Sequence, residues 1–458
     1  MLLNEPIFYY EAILARFKNS YLAQDSTQAI IGIDCDYVSA AGAEFDGEKF
    51  AKNAKFERTD FAGLKSYFAE HKNVSDAPFA GLFGVLGFES VKYFENVKSA
   101  GERQYDFANF IYANARAYLH FDKISKIYGF YGDAAKYYDF LEALDNVEPS
   151  EPKTRAKFKI LTDLDAEKSH FERIVERAKD YIKAGDVFQV VLSEQLALVS
   201  DLSSLKFYEI LSAANPSPYM FHFPTPFGDV VGSSPELVFE LKGERIFVAP
   251  IAGTRPRGKD ANEDATLQTQ LLSDEKELAE HKMLIDLARN DIGRVAKIRS
   301  VVVKNALNIV KYESVMHIIS DVYGQREQGV SAFDVAASVF PAGTLSGTPK
   351  IRAMQIIGEL ETFKRNAYGG GIGFLHFNGD AQMAILIRSA VFTPFKRGED
   401  EISARDFGED ANGEISKIFV QAGAGIVFDS DPQREYAEIC HKRASVLNVF
   451  KNNCEEIK

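Results

Sequence analysis

The stretch PIAGTRPRG at residues 250–258 is the most informative part of this chain, and it is interpreted together with Gln189 further upstream. Neither Ala252, within this stretch, nor Gln189 has a side chain that can act as a base or as a nucleophile. A site built around these two residues therefore suits an attacking molecule that already has a reactive lone pair and needs no base to remove a proton. Gly253 and Thr254 follow Ala252 and complete the group of residues that we expect to discriminate between reactants.

Composition excludes several classes of protein. The chain has 458 residues, of which 46% are apolar, and can therefore bury a large core in one domain or two. Its net charge of −13 and its lack of a basic run argue against binding to nucleic acid. Acidic residues near the start of the chain, the absence of a long apolar run and three cysteines without CxxC spacing predict a cytoplasmic protein that does not enter a membrane.

Strands and helices follow one another irregularly along the chain. A polar segment with two prolines, 146–157, predicts a boundary between an N-terminal region, 1–146, and a larger region, 158–452. The hairpin-like spacing of the strands predicts an α+β fold with sizeable antiparallel sheets. Capping residues predict the starts of three later helices at Ser273, at Thr348-Pro349 and at Asp431-Pro432.

Two pairs of glutamates lie three residues apart on predicted helices, Glu277 with Glu280 and Glu435 with Glu438. Residues at this spacing share one face of a helix. Most such pairs are solvated surface, but apolar neighbours on both helices favour a position near a buried edge. If the pairs face each other, two carboxylates about 4 Å apart repel by on the order of 4 kcal/mol at an effective dielectric constant of about 20. Oxygen ligands with room for water suit Mg²⁺ better than zinc, so the pairs are candidates for a magnesium site.

Two glycine-rich segments, 368–373 and 421–425, are predicted to lie at the ends of strands. Glycine lets backbone N–H groups approach an anion closely, although a tight turn or bulge explains each segment equally well. The segment 343–350 resembles a phosphate-binding loop only superficially, because its spacing differs and Pro349 lacks an amide donor. We therefore reject nucleotide binding.

Four polar side chains with apolar neighbours are further candidates. Arg388 lies on an apolar strand predicted over 382–390, where its guanidinium pairs with either a protein carboxylate or a ligand carboxylate. Lys442, one helical turn after Glu438, is either the surface partner of that glutamate or a ligand-binding cation. His317 is either a core histidine or part of a site. Glu236, between a turn and a strand, is a half-buried acid whose raised pKa would let it donate a proton.

Taken together, these motifs resemble those of the chorismate-utilising enzymes, most closely the large chains of anthranilate synthases. The N-terminal third matches more loosely, chiefly through GVLGFESVKYFE at 84–95. The closer matches run in the family's order between residues 165 and 450: FQVVLS at 188–193, NPSPYMF at 215–221, SPE at 234–236, PIAGTRPRG at 250–258, EHKMLIDLARND at 280–291, MHI at 316–318, PAGTLSGTPK at 341–350, YGGGIGF at 368–374, IRSA at 387–390 and QAGAGIV at 421–427.

The resemblance implies a fold of two face-to-face, largely antiparallel β-sheets flanked by helices. It also implies a regulatory and partner-binding region at 1–146, interwoven with the core, and a chorismate-binding catalytic domain at 158–452. Mg²⁺ would be the cofactor and would grip the ring carboxylate of chorismate. Glu280 and Glu438 would bind it directly, with Glu277 and Glu435 near it through water.

The resemblance also assigns roles around the substrate. Glu236 would protonate the departing C4 hydroxyl as the catalytic acid, and His317 would line the same site. The residues that would hold the enolpyruvyl side of the substrate are Thr344, Tyr368, Arg388, Gly423, Ala424, Gly425 and Lys442.

Within the family, Gln189 and Ala252 favour one reaction. Relatives that add water carry a lysine in place of Gln189, and aminodeoxychorismate synthases typically carry a lysine, whose amine attacks the ring, in place of Ala252. Ammonia brings its own lone pair and needs neither. We therefore expect a Mg²⁺-dependent lyase that converts chorismate and ammonia to anthranilate and pyruvate, the first committed step of tryptophan biosynthesis. An aminodeoxychorismate synthase of the folate pathway is the alternative.

Two partners are implied as well. None of the three cysteines has the sequence context of a glutaminase nucleophile, so a separate glutamine amidotransferase subunit would supply the ammonia. L-Tryptophan is the candidate feedback inhibitor, although the segment 22–26 departs from the sequence that usually forms half of that pocket. The residues that match the other half are Asn215, Pro216, Pro218, Tyr219 and Met220.

Overall fold

Two large β-sheets, packed face to face, form the centre of the protein. The structure is a computed structural model that describes residues 5–42, 50–74, 76–97, 101–144, 155–311, 315–395, 407 and 414–457. The predicted boundary at 146–157 lies outside the described residues except for 155–157, which lead into a strand.

The strands, in chain order, are β1 (Tyr21–Gln24), β2 (Gln28–Ile33), β3 (Asp36–Ala40), β4 (Phe56–Thr59), β5 (Gly81–Leu86), β6 (Phe110–Asn114), β7 (Ala117–Asp122), β8 (Ile127–Gly132), β9 (Lys157–Ile160), β10 (Gln189–Ser200), β11 (Tyr219–Phe223), β12 (Asp229–Ser234), β13 (Leu237–Lys242), β14 (Arg245–Val248), β15 (Ile251–Pro256), β16 (Val302–Lys311), β17 (Val315–Gln325), β18 (Gly347–Thr348), β19 (Gly371–His376), β20 (Ala381–Ile385), β21 (Ser389–Pro394), β22 (Ser416–Ile426) and β23 (Glu455–Glu456).

The helices, in chain order, are α1 (Pro6–Arg16), α2 (Phe61–Glu70), α3 (Ala134–Leu144), α4 (Leu164–Lys183), α5 (Ser204–Ala214), α6 (Ala261–Ser273), α7 (Glu275–Gly293), α8 (Ala332–Val339), α9 (Lys350–Leu360) and α10 (Pro432–Asn453). Short 3₁₀ turns lie at Phe88–Tyr93 and Gly343–Leu345. No helix in the described part of the chain has the length and apolar character needed to cross a bilayer.

Each sheet combines strands from both ends of the chain. The first follows the order β23-β9-β10-β22-β21-β12-β11-β1-β2-β7-β8, with β18 beside β10. The second follows β15-β17-β14-β13-β20-β19-β5-β6-β3-β4, with β16 beside β17. Only β23 with β9 and β3 with β4 pair in parallel among the described strands. The largely antiparallel α+β fold predicted from the sequence is therefore confirmed.

The core between the sheets is rich in aromatic side chains. Tyr21 of the first sheet stacks on Phe83 of the second, with ring centroids 4.4 Å apart. Phe223 and Phe374 pack edge-on against Tyr21 from opposite sheets. Aromatic rings bury large apolar areas with defined geometry, so this cluster fixes how the two sheets lie on each other.

Helices α4, α9 and α10 cover the outer face of the first sheet at β10 and β22. Phe171, Ala353 and Ile439 of these helices pack against Leu192 and Ala422 of the two strands in one buried cluster. The two strands pair in antiparallel fashion from Val190 opposite Ile426 to Ser200 opposite Ser416. This long ladder is the platform that carries one wall of the candidate site.

Two of the three predicted helix starts are wrong by one residue, and the third is confirmed. Asp274, not Ser273, caps α7, because its carboxylate accepts hydrogen bonds from the backbone N–H groups of Lys276 and Glu277. Ahead of α9, Thr348 pairs with Gln189 in the sheet, which leaves Pro349 at the cap position. The α10 helix begins as predicted, with Asp431 as its cap and Pro432 in the first position.

Candidate active site

A bulge in β15 brings the stretch at 250–258 to His317. The register between β15 and β17 shifts between Ala252 and Thr254, and Gly253 at the shift has a φ of 70°. The carbonyl of Gly253 accepts a hydrogen bond from Nδ1 of His317 at 3.0 Å, and the hydroxyl of Thr254 lies 3.0 Å from the same nitrogen. Because a carbonyl only accepts, Nδ1 carries the hydrogen and the lone pair of the neutral ring is on Nε2. Burial lowers the pKa of His317, with help from the nearby charges of Arg388 and Lys442.

Glu236 lies between β12 and β13 and accepts a hydrogen bond from Oγ1 of Thr344 at 2.8 Å. Burial raises its pKa to about 7, against the lowering effects of this hydrogen bond and of the Lys442 charge. A carboxyl group with this pKa is partly protonated at neutral pH and can donate its proton to a leaving group. The expected raised pKa of Glu236 is therefore present in the structure.

Arg388 does not lie on a strand, contrary to prediction. The run predicted as one strand over 382–390 breaks into β20 and β21, and Arg388 occupies the break with a φ of 53°. Its Nη1 donates to the carbonyl of Lys442 at 2.8 Å and to Oγ of Ser445 at 3.2 Å. Within the described part of the chain it forms no ion pair, and burial lowers its pKa. A half-buried guanidinium without an ion-pair partner among the described residues suits an anionic ligand.

The glycines at 423 and 425 lie within β22, so this segment is not the strand-end loop that the sequence predicted. A Cβ atom on Gly423 would lie 3.0 Å from the hydroxyl of Tyr368, and one on Gly425 would lie 2.6 Å from Nε2 of Gln189. The glycines therefore make room for these two side chains on the face that looks toward the second sheet. Ala424, between them, points into the core of the opposite face and is fully buried.

Lys442 is held by two groups in this structure. Its Nζ lies 2.7 Å from Oε1 of Glu438 and donates to the carbonyl of Gly423 at 2.9 Å. It also lies close enough to Glu236 and His317 to lower the pKa of both. Lys442 is therefore more than a surface partner of Glu438, because its ammonium group also lies within the candidate site.

The four glutamates of α7 and α10 form one electrostatic group. Burial, together with the charges of Glu277, Glu435 and Glu438 and against the lowering effect of Lys276, raises the pKa of Glu280 to about 7. Burial and the Glu438 charge also raise the pKa of Glu435. Because Glu280 is on α7 and two of its neighbours are on α10, the pairs face each other across the two helices. Mutual repulsion of this kind is relieved by a divalent cation.

Two lysines supply part of the positive charge that offsets the repulsion among these glutamates. Nζ of Lys276 lies 3.9 Å from Glu280, and Lys442 pairs with Glu438. Among the residues that the structure describes, no three acidic, histidine or cysteine side chains already form a cluster of metal-ligand geometry. The donor set nevertheless fits Mg²⁺, since it consists of carboxylate oxygens with excess negative charge.

One cavity is lined by parts of both segments that the sequence analysis paired as an inhibitor pocket. Gln24 lies opposite Met220 in the β1–β11 ladder, and both line a cavity that encloses about 520 Å³ including its open mouth. Tyr219 and Asp25 line it as well, while Asn215, Pro216 and Pro218 are not among its described lining residues. Asn215 instead donates to the carbonyl of Ser445 on α10.

The sequence analysis missed the partners that hold the predicted residues. Arg255, in the quoted stretch, donates to Asp274 at 2.8 Å and to Glu277 at 3.4 Å, which ties β15 to the start of α7. Lys276 lies four residues before Glu280, a helical spacing that was readable in the sequence. The contacts of Arg255 with α7 join separate elements and have no such local signal.

Comparison with known proteins gives the family of this chain. A family model described as chorismate binding enzyme matches residues 15–448. Anthranilate synthase component 1 of Aquifex aeolicus is 48% identical over 284 residues, which is 62% of this chain and 53% of that protein. Anthranilate synthase component 1 of Methanothermobacter marburgensis is 34% identical over 465 residues, which cover 99% of this chain and 94% of that protein.

Among solved structures, anthranilate synthase component I from Streptococcus pneumoniae superposes with a TM-score of 0.75 at 30% identity, over 92% of each chain. The chain spans about half the length of several curated relatives that it matches, as with the 53% of the Aquifex aeolicus protein. The family model and the M. marburgensis relative each cover most of this chain. The chain therefore belongs to the family of chorismate binding enzymes.

Proposed function

We propose that this chain is the large subunit of an anthranilate synthase, which converts chorismate and ammonia to anthranilate, pyruvate and water. The observation that carries the proposal is an acid at Glu236 together with two positions, 189 and 252, that carry neither a base nor a nucleophile. Glu236 has a pKa raised to about 7 by burial, while Gln189 and Ala252 provide no group that could activate water or attack the ring. Such a site favours an attacking molecule that already has its lone pair.

The substrate would be held at its two carboxylates. The guanidinium of Arg388, unpaired within the described residues, suits the enolpyruvyl carboxylate, with the hydroxyl of Tyr368 and the backbone of β22 beside it. Glu280 and Glu438, with Glu277 and Glu435 near them, would hold Mg²⁺. When bound, Mg²⁺ supplies positive charge for the ring carboxylate. Lys276 and Lys442 would leave their glutamates when the metal binds.

The residues of the chain then move one proton and orient the rest. Glu236 gives its proton to the C4 hydroxyl, which leaves as water while ammonia forms the new bond at C2. Thr344 keeps the carboxyl group of Glu236 in place. The new ammonium group then returns one proton to the carboxylate of Glu236. Loss of the C2 proton breaks the C3–O bond, and the enolpyruvyl group gains a proton at its methylene carbon and leaves as pyruvate, which makes the ring aromatic. The neutral His317, fixed by Gly253 and Thr254, lines the site at this step.

A partner subunit would supply the ammonia from glutamine. Burial raises the pKa of the Cys35 thiol, and it raises that of Cys454 to about 11, so neither thiol is a ready nucleophile. Cys440 is half-buried on α10, where it lies 3.7 Å from a nitrogen of Arg443. L-Tryptophan is the proposed feedback inhibitor at the cavity that β1 and β11 line together with strands of the second sheet, where apolar side chains and the amides of Gln24, Gln28 and Gln382 suit an aromatic amino acid.

The test compares nitrogen sources. The purified chain with chorismate and Mg²⁺ is expected to produce anthranilate fluorescence with ammonium salts at alkaline pH, but not with glutamine. Adding a glutamine amidotransferase subunit of an anthranilate synthase is expected to restore the use of glutamine. No fluorescence at high ammonium concentration would refute the proposal. Formation of a product that retains the enolpyruvyl group would favour an aminodeoxychorismate synthase instead.

A further inference from the structure

Arg365 is among the largest fully buried side chains in the described part of the chain, with 1% of its surface exposed. Its guanidinium forms a bidentate ion pair with Glu361, from Nε to Oε2 at 2.9 Å and from Nη2 to Oε1 at 2.6 Å. Buried ion pairs stabilise a fold no better than well-packed apolar side chains of similar volume. Stability alone therefore does not explain this pair.

The other donors of Arg365 reach backbone carbonyls of the candidate active site. Nη1 donates to the carbonyl of Leu345 at 2.6 Å, and Nη2 donates to the carbonyl of Val191 at 2.8 Å. Leu345 ends the 3₁₀ turn whose Thr344 donates to Glu236. Val191 follows Gln189 by two residues on β10. The guanidinium thus ties the turn that holds the acid to the strand that carries Gln189.

Glu361 extends the same network to β22. Its Oε1 accepts hydrogen bonds from the backbone N–H and the hydroxyl of Ser193, each at 2.8 Å. Ser193 lies opposite Gly423 in the β10–β22 ladder. The guanidinium carbon also lies 5.7 Å from the ring centroid of Tyr368. This buried ion pair therefore contacts the backbone segments next to Thr344 and Gln189 and the residue opposite Gly423, and it lies beside the ring of Tyr368.

We propose that Arg365 is a positioning residue of this site. It holds in place the turn from which Thr344 donates to Glu236, and it holds the strand that carries Gln189. Its guanidinium donates to Glu361 and to two backbone carbonyls, and to none of the side chains assigned to substrate or metal, so it acts through the groups it holds. The kinetic consequence rests on the proposed function, since it is read from the conversion of chorismate. The effect on Glu236 does not depend on that reaction.

The test is a mutant cycle that separates position from stability. Arg365→Met alone leaves Glu361 as an unpaired buried charge, so it is combined with Glu361→Gln, whose side-chain oxygen still accepts from Ser193. The paired variant is expected to keep a single cooperative thermal transition, with a lower midpoint because the carbonyls of Leu345 and Val191 lose their donors. Its kcat/KM for chorismate is expected to fall by roughly 10–100-fold, because small displacements of reacting groups cost this much.

A pH profile distinguishes positioning from mere folding. Loss of the Thr344 hydrogen bond raises the pKa of Glu236, so the alkaline limb of kcat/KM moves to higher pH in Thr344→Val. The paired variant is expected to move it in the same direction, and adding Thr344→Val to it is expected to move it no further. The control pair Arg116→Met with Asp36→Asn removes a partly buried ion pair of the N-terminal region, leaves Asp34 paired with Lys136, and is expected to leave the profile unchanged.

Each outcome decides the proposal. A wild-type profile in the paired variant, or a shift that adds to that of Thr344→Val, would overturn it. If the paired variant does not fold, Arg365→Lys takes its place in the test. A lysine at this position cannot reach both carbonyls and Glu361 at once, so a smaller shift of the same sign is expected. Inactive wild-type protein would refute the proposed function instead. The pKa of Glu236, read by ¹³C NMR against a Glu236→Gln reference, would then still test Arg365, whose replacement should raise it.

Discussion

Replacing Glu280 by glutamine is expected to stabilise the metal-free protein at alkaline pH. Burial and three neighbouring glutamates raise the pKa of Glu280 from an ordinary 4.5 to about 7. The unfolded chain therefore releases this proton near pH 4.5, and the folded chain releases it near pH 7. The unfolded state binds fewer protons within this window, so the stability of the folded state falls as the pH rises through it. The full cost of the carboxylate is present above pH 7.

The size of the effect follows from the same shift. Each pKa unit corresponds to about 1.36 kcal/mol, and the difference between 4.5 and about 7 is about 2.5 units, which gives an upper limit of about 3.4 kcal/mol. Because 24% of the side chain is exposed, solvent screens part of this repulsion. We therefore expect Glu280→Gln to raise the free energy of unfolding at pH 8 by about 1–3 kcal/mol.

Urea unfolding at pH 8 and at pH 4.5, with and without Mg²⁺, measures this directly. The gain in Glu280→Gln should vanish at pH 4.5, where the folded wild-type carboxyl is protonated. Mg²⁺ should stabilise wild type at pH 8 by binding the native state, and should stabilise Glu280→Gln much less. Glu275→Gln, an exposed position on the same helix, serves as control and should change stability by less than about 1 kcal/mol. A less stable Glu280→Gln at pH 8, or an undiminished effect of Mg²⁺ on it, would refute the reasoning.

Three further predictions follow from other contacts. Thr344→Val removes a hydrogen bond to the charged form of Glu236, worth about 1.5–3 kcal/mol, and should move the alkaline limb of kcat/KM up by about 1–2 pH units. Thr348→Val, whose buried hydroxyl has no partner among the described residues, should leave the limb in place, and an equal shift in both variants would contradict the assignment. Gly253→Ala should lower the free energy of unfolding by about 1–3 kcal/mol because its φ of 70° is strained for alanine, and unchanged urea stability would contradict this. Titration calorimetry should show saturable tryptophan binding that weakens in Met220→Ala, and equal affinity in both proteins would exclude the cavity.

Local sequence signals predicted the parts of this structure that depend on neighbouring residues. Asp431 and Pro432 start a helix as expected, because capping and the fixed φ of proline act within one turn. Helical spacing and apolar flanks indicated that each glutamate pair lies near a buried edge, whereas the facing of Glu280 toward Glu435 and Glu438 depends on how the two helices pack. The fold class followed from the spacing of strands.

Signals that depend on distant pairing were missed. Thr348 was expected to cap a helix, but hydrogen bonding to β10 holds it in a strand, which no local pattern shows. Arg388 was expected on a strand, because its apolar neighbours hide the break that tertiary contacts with α10 impose. The glycines at 423 and 425 looked like a loop because their packing partners, Tyr368 and Gln189, are far away in the sequence.

The measurement that bears most directly on this account is the mass of the product formed from chorismate and ¹⁵N-labelled ammonium. With Mg²⁺ and without any partner subunit, the purified chain is expected to release ¹⁵N-anthranilate and an equal amount of pyruvate. A hydroxylated product that carries oxygen from water, or an amino product that retains its enolpyruvyl group, would contradict the claim that this site leaves ammonia to attack unaided and then completes the aromatic ring.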